Sequence, residues 1–304
     1  MTDSYDWPAK PCALRQLLSA AEGNFNRAAL YFGHGTDNAW DEAVLLALHG
    51  LGLPWADDAG ILERRLSSEE LANIVALFER RISERLPAAY LVGKAFFAGL
   101  EFRVTPEVLI PRSPIAELID NAYTPWLPRE PARVLDLCTG CGCIGIATAM
   151  IFPGASVDLS DISTAAVEVA EHNIRTFNLR HRVRAVTGDL FSAVSGERYD
   201  LIVCNPPYVD SEDLAAMPAE YRAEPELALA SGNDGLDFCR RLLREAREHL
   251  TDQGSLIVEV GNSWEALEKA YPRVPFLWIE FARGGHGVFV LSAAELECHA
   301  DQFL

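Results

Sequence analysis

Apolar residues recur at helical spacing through the first 88 positions and then give way to short, solid runs. Leu71, Ile74, Val75, Phe78, Ile82 and Leu86 fall on one stripe of the stretch 68–86, with Ser67 and Glu70 in capping-box spacing at its start and Pro87 beyond its end. The same period predicts helices over 12–21 and 41–51. Between 89 and 112 the pattern turns to brief β-like runs, 96–97 and 100–104, punctuated by Gly93, Gly99, Pro106 and Pro111, which predicts a hairpin linker. After Arg133 apolar runs and helical stretches alternate, as parallel strands and their crossover helices do. Strands are expected at 134–137, 156–159, 183–187, 201–204 and 255–260, and helices at 163–177 and 235–249. Near the close, 277–281 and 288–291 flank Arg283-Gly284-Gly285-His286-Gly287, a hairpin signature that puts antiparallel strands at one sheet edge. The fold class is therefore α/β, organised as a helical domain (1–88), a β-hairpin linker (89–112) and an open-sheet domain (113–304).

An open parallel sheet binds ligands beyond the carboxyl ends of its strands, where strand order reverses. Four side chains share that position here: Asp136 at the first strand, Asp161 after the second, Asp189 after the third and Asn205 after the fourth. Taken singly, each aspartate reads equally well as a helix cap or turn former; the recurrence argues for a site. Gly140, Gly142 and Gly145 satisfy G-x-G-x-x-G, and Asp161 lies where a dinucleotide enzyme keeps its ribose-binding acid. A dinucleotide leaves Asn205-Pro206-Pro207-Tyr208 unexplained, and its pyrophosphate would need a helix N-terminus. S-adenosylmethionine carries no phosphate. Its loop needs glycines for close approach of the backbone to the sulfonium amino acid, while carboxylates meet the ribose hydroxyls and the adenine amine. Asp161 suits the ribose, Asp189 the adenine with Leu190 and Phe191 in apolar contact, and Asp136 the shaping of the loop or the methionine amine. Thr139, Gly140, Gly142, Ile144, Ile162 and Asn205 complete the candidate cofactor residues.

The Asn-Pro-Pro-Tyr segment answers a chemical problem. An amide or aromatic amine nitrogen is a poor nucleophile because its lone pair is delocalised. If the Asn205 side-chain oxygen and the Pro206 carbonyl each accept one N–H, the nitrogen is held with its electron density aimed at the methyl group, and positive charge developing on it is stabilised. Pro206 and Pro207 keep the turn stiff, and Tyr208 is free to pack on a planar substrate group. Two prolines and an aromatic also make an ordinary loop, but such a loop has no need of Asn at its head.

A net charge of −18 opposes broad attraction to phosphate backbones or anionic lipid and suits a basic protein substrate. Arg175, Arg180, Arg182 and Arg184, and the helical set Arg240, Arg241, Arg244 and Arg247, read as solvated faces or helix-end charges. Residues 1–7 hold no basic patch leading into an apolar stretch, and no apolar run is long enough to span a bilayer, so a cytoplasmic place is expected. Seven cysteines form an odd set, and reduced thiols are expected. Cys138, Cys141 and Cys143 have a spacing that metal sites use, but their glycine-rich context favours small filler residues, and no metal is expected.

These motifs resemble the bacterial glutamine methyltransferases, HemK-like enzymes that methylate the side-chain amide of glutamine in translation proteins. Within them, Leu109-Ile110-Pro111-Arg112-Ser113-Pro114-Ile115, Glu117-Leu118-Ile119 and Asp136-Leu137-Cys138-Thr139-Gly140 are similar to the PrmB branch, which acts on the third large-subunit ribosomal protein. The release-factor branch usually has an acidic residue after its Pro-Arg-Pro segment and Gly in place of Cys138. The resemblance implies a Rossmann-like seven-stranded class I methyltransferase sheet, S-adenosylmethionine as methyl donor and a basic ribosomal protein as partner. It also places Arg112 and Glu224 with Asn205, Pro206 and Tyr208 on the substrate side. Glu224-Pro225, Asp234-Gly235-Leu236-Asp237 and Val258-Glu259-Val260-Gly261 match as well. Other readings are methylation of release factors, methylation of an adenine amine in nucleic acid, a dehydrogenase, or a non-catalytic adaptor in translation.

Overall fold

The computed structural model describes residues 5–54 and 59–303; residues 1–4, part of the N-terminal stretch read above for a leader, lie outside them. The chain forms two compact units. One contains residues up to Lys94 together with Pro218–Ala223, and the other contains Ala95–Met217 and Glu224–Leu304. The first unit is therefore discontinuous in sequence, a feature that the 1–88 boundary does not anticipate.

The helical unit is built from α1 (Leu14–Arg27), α2 (Ala39–Gly50), α3 (Ser68–Glu84) and the single turn α4 (Ala88–Val92). Asn38 caps α2, and Ser67 with Glu70 closes the expected capping box on α3. Leu17, Leu18, Phe25, Leu46, Ile74 and Phe78 share its core. The first helix begins later than the periodicity suggests, because residues 12–13 lie outside it, Ala13 being extended: Leu66 N–H donates to the Cys12 carbonyl (2.9 Å) and Leu14 N–H to that of Arg64 (2.8 Å). Residues 88–92, read as the approach to a hairpin, form a helical turn instead, closed by Gly93 at φ +70°.

Glu220 explains the discontinuity. Its carboxylate is fully buried in the helical unit, 2.9 Å from Arg85 and accepting from Tyr31 N–H (3.1 Å), beside a buried Arg81–Glu42 pair at 2.5 Å. Buried charges persist only when paired, and these partners are supplied by a segment distant in sequence.

In the other unit, β1 (Lys94–Phe97) and β2 (Leu100–Arg103) form the expected hairpin, followed by α5 (Ile115–Asp120). The main sheet takes β3 (Arg133–Leu137), β4 (Ser156–Asp161), β5 (Val183–Thr187), β6 (Tyr199–Cys204) and β7 (Leu250–Glu259), with β8 (Leu277–Trp278) and β9 (Val288–Ser292) at one edge. Helices α6 (Cys143–Ile151), α7 (Thr164–Thr176), α8 (Ser211–Ala216), α9 (Asp237–Glu245), α10 (Trp264–Ala270) and α11 (Ala293–Cys298) connect and flank them. The strand order is β5-β4-β3-β6-β7-β9-β8; the first five are parallel and β9 runs antiparallel to both neighbours. Order reverses between β3 and β6, whose apolar residues are almost wholly buried, as parallel strands covered on both faces must be.

Two expected elements are shorter than the sequence suggests. The strand at 277–281 is paired at Leu277 and Trp278, with one more bond from Ile279 N–H to the Val288 carbonyl (2.9 Å), and then Glu117 draws the chain away by accepting the backbone N–H groups of Ala282 (2.9 Å) and Arg283 (3.0 Å). The helix at 235–249 ends as α9 at Glu245 and continues as a tighter turn over Ala246–His249. Among the described residues no helix is long and apolar enough to cross a membrane.

Candidate active site

A cavity of about 350 Å³ opens beyond the carboxyl ends of β3, β4, β5 and β6, lined wholly by the sheet unit. Thr139, Gly140, Ile144, Asp161, Ile162, Asp189, Leu190, Asn205, Pro207 and Arg112 all reach it. Asp136, Gly142, Phe191, Pro206, Tyr208 and Glu224 are not in the lining.

The glycine loop joins β3 to α6. Asp136 is 1% exposed, and one of its oxygens accepts both Thr139 Oγ1 (2.5 Å) and Gly145 N–H (2.8 Å). Its other oxygen, Oδ1, is buried without a hydrogen-bond partner, and burial pushes the carboxyl up to about 7 against those two donors. Asp136 thus shapes the loop. Gly142 caps α6 at φ +86°, a conformation that favours glycine. At Gly145 a Cβ would stand 2.1 Å from Leu159 Cδ2 and 2.9 Å from Asp136 Cβ, so helix and sheet close to this distance only over glycine.

Asp161, the last residue of β4, accepts Gly140 N–H and Ser163 N–H, each at 2.9 Å, and so braces the loop while facing the cavity. Burial raises its pKa, opposed by those backbone donors. Asp189 is half-exposed and accepts from Arg241 at 2.7 Å. Arg241 makes that pair while staying on the solvated face expected of it from sequence. Leu190 is buried at the wall. Phe191, expected beside it against adenine, instead turns into the core and stacks on His249 at 4.2 Å and 4°. The residue that follows a wall position on a tight turn faces the other way.

At the end of β6, Asn205 lines the cavity with its Oδ1 buried and without a hydrogen-bond partner. Leaving such an acceptor unsatisfied costs about 1–3 kcal/mol, which sets Asn205 apart from the other lining residues. Tyr208 does not present its ring to the cavity. Its hydroxyl donates to Glu259 Oε1 (2.9 Å), and its carbonyl accepts from Ser263 Oγ (2.8 Å).

Arg112 forms a two-pronged ion pair with buried Glu224, both bonds at 2.6 Å, and Glu224 also accepts Ile110 N–H at 3.0 Å. This pair fixes the 109–115 wall. Residues that sequence reasoning did not single out also matter. Asn173 on α7 is buried and donates to the carbonyls of Cys141 (2.8 Å) and Arg103 (3.1 Å) while accepting Arg103 N–H (2.9 Å), tying the glycine loop to the hairpin. A lone Asn inside a helical stripe carries no sequence signal of that duty.

Among the described residues, no group of three or more His, Cys, Asp or Glu is arranged to hold a metal ion. The cysteines are all free. Cys143 is hydrogen-bonded to Cys141, which with burial raises its thiol well above the usual range, and Cys204 is raised by burial and by a bond with Cys138.

The lining fits a cationic ligand without phosphate. It offers the carboxylates of Asp161 and Asp189 beside apolar Ile144, Ile162 and Leu190, and its two arginines are already committed to Glu224 and Asp189. A pyrophosphate would lack a counter-charge there. S-adenosylmethionine meets these terms.

Comparison with known proteins agrees in kind. The model of the Methyltransferase small domain family matches residues 121–220. The ribosomal protein uL3 glutamine methyltransferase of Francisella tularensis subsp. tularensis is 48% identical over 90% of this chain and 88% of its own length. Its counterpart in Bordetella pertussis is 44% identical over 93% and 96%. The solved hMettl16 catalytic domain in complex with MAT2A 3'UTR hairpin 1 superposes with a TM-score of 0.50 at 15% identity, over 83% of this chain and 91% of that one, a likeness of fold.

Proposed function

The chain belongs to the ribosomal protein uL3 glutamine methyltransferase family, and on that premise we propose that it moves a methyl group from S-adenosylmethionine to the side-chain amide nitrogen of a glutamine in uL3, with Asn205 as the residue that aligns the amide. One observation carries the assignment of Asn205: a buried side-chain oxygen without a partner on the wall of the cavity.

When bound, S-adenosylmethionine supplies an electrophilic methyl group. Asp161 would hold the ribose hydroxyls with the lone pairs left free by Gly140 and Ser163, and Asp189, steadied by Arg241, would accept the adenine amine beside Leu190. The glycine loop brings backbone close to the amino-acid end. Thr139 belongs to that loop, and Ile144 and Ile162 give apolar contact.

Asn205 Oδ1 and the Pro206 carbonyl each accept one N–H of the glutamine amide. The amide plane is then fixed, and the charge that builds on nitrogen as the N–C bond forms meets two acceptors already in place, with no reorganisation cost. One N–H proton passes to solvent as the N-methyl amide forms, and S-adenosylhomocysteine is left as the other product. Arg112 on the wall, held by buried Glu224, frames the glutamine's approach, and the acidic chain attracts a basic ribosomal protein.

The test is methyl transfer with labelled S-adenosylmethionine, offering undermethylated uL3 and release factors side by side. Label on a uL3 glutamine is the expected result, with Asn205→Ala as the inactive control. Label on release factors would assign the chain to the sister activity, and label on nucleic acid alone would overturn the protein substrate.

A further inference from the structure

Three separate contacts converge on Tyr208, and none of them comes from the cavity. Its hydroxyl donates to Glu259 Oε1 at 2.9 Å. Its carbonyl accepts from Ser263 Oγ at 2.8 Å. Its ring lies so close over Gly261 that a Cβ there would stand 2.5 Å from Tyr208 Cε2. The next residue is held as firmly, since Val209 N–H donates to the Leu229 carbonyl (2.8 Å) and its own carbonyl accepts Ser231 N–H (2.9 Å). Glu259, the last residue of β7, is 4% exposed, and its second oxygen accepts from Ser113 Oγ at 2.5 Å. Ser113 Oγ in turn accepts Ile115 N–H at 3.1 Å. One buried carboxylate therefore joins the 109–115 wall to the far end of the Asn-Pro-Pro-Tyr turn.

From this geometry we infer that Glu259 is a positioning residue for methyl transfer: acting through Tyr208, it fixes where the Asn205 and Pro206 acceptors stand relative to the wall that carries Ser113. The inference rests on the reading of Asn205 as the aligning residue. Tyr208, on this account, serves as the anchor of the turn and does not stack on substrate. A buried carboxylate is costly unless its lone pairs are met, and here one hydroxyl on each side meets them. Because Pro206 and Pro207 stiffen the turn, restraint at Tyr208 is transmitted to Asn205 three residues earlier. Amide alignment tolerates little slack, since about 1 Å of misplacement can cost on the order of 100-fold in rate.

The decisive experiment measures single-turnover methyl transfer to uL3 and S-adenosylmethionine binding for wild type, Tyr208→Phe, Glu259→Asp, Glu259→Gln and the Tyr208→Phe/Glu259→Asp pair. Tyr208→Phe and Glu259→Asp should each slow transfer by about 10- to 100-fold while the Kd for S-adenosylmethionine stays within about threefold of wild type. Glu259→Gln, which keeps the reach to both hydroxyls, should recover most of the rate. The double variant should be no slower than the slower single, because both break one connection. If Glu259→Asp does not fold, Tyr208→Phe, which keeps the ring on Gly261, decides alone: unchanged transfer overturns the inference. So does a loss of cofactor affinity as large as the loss of rate, or additive losses in the pair. A wild-type chain that methylates no protein would instead overturn the proposed function, so the two failures are told apart.

Discussion

Two loops leave adjacent parallel strands of one sheet and are built by opposite means. The glycine loop after β3 is shaped by what its residues lack: positive φ at Cys138, Gly140 and Gly142, and a Gly145 where any Cβ would collide with Leu159. Its polar ties run to backbone N–H groups, through Asp136 and Asp161. The Asn-Pro-Pro-Tyr loop after β6 is shaped by what its residues carry. Prolines stiffen it, and side chains of Glu259 and Ser263 hold its last residue. On the proposed reading the difference separates binding from chemistry: a backbone cradle for a cofactor, and a braced turn that presents one unsatisfied acceptor, Asn205 Oδ1, at a fixed place.

The sharpest way to break that division is to remove the acceptor. Asn205→Ala should lower kcat by about 10²–10³-fold, the loss seen when one preorganised hydrogen-bonding group is deleted, while cofactor affinity, measured by calorimetry, changes by less than about threefold. A comparable loss of affinity would mean that the braced turn binds cofactor as much as it directs transfer. The converse change lies in the other loop. Gly145→Ala should destabilise the protein by about 1–3 kcal/mol by overpacking against Leu159, with affinity falling along with Tm because Gly145 N–H no longer meets Asp136. A variant that binds normally would show that α6 has room to move off the sheet.

Asp136 sharpens the comparison through pH. Burial holds its carboxyl at about 7 in the folded chain, against about 3.9 for a free aspartate. The folded state therefore binds a proton more tightly than the unfolded one between these values. The stability this group contributes is complete below about pH 4 and is lost as pH rises through about 7. Asp136→Asn cannot ionise, so its Tm should decline less than wild type between pH 4 and 7. Parallel curves would locate the titration in other buried carboxyls such as Glu259 and Asp161, which burial shifts in the same direction.

Much of this was legible before any coordinates, for a physical reason. Buried parallel strands must be continuous apolar runs, and a residue at the end of such a run has only one place to go, so β3 through β6 and the side chains at their ends could be read directly. The direction of side chains off the strand ends could not. Phe191 turns to the core while Leu190 before it faces the cavity, and the periodicity of a strand does not extend through the turn that follows. Contacts distant in sequence were equally hidden. Arg241 looks like one charge in a helical row and is Asp189's partner 52 residues away; Glu220, which no motif singles out, is buried with Arg81 and Arg85 as partners. Charge and amide residues declare their type in a sequence and conceal their partners.

The smallest effect is the most diagnostic of the backbone cradle. Cys138 stands at φ +56°, where a side chain costs about 1–2 kcal/mol relative to a right-handed conformation. Glycine relieves that strain but loses about 0.5–1 kcal/mol more in unfolded-chain freedom. Cys138→Gly also gives up the contact with Cys204, the residue immediately before Asn205. The balance predicts a shift of no more than about 1 kcal/mol toward stability in urea unfolding, with wild-type methyl transfer. A slower enzyme at unchanged stability would show that the thiol does more than fill space: the two loops, built by opposite means, would then be joined through Cys138 and Cys204, and the separation of cradle from braced turn would fail at that one contact.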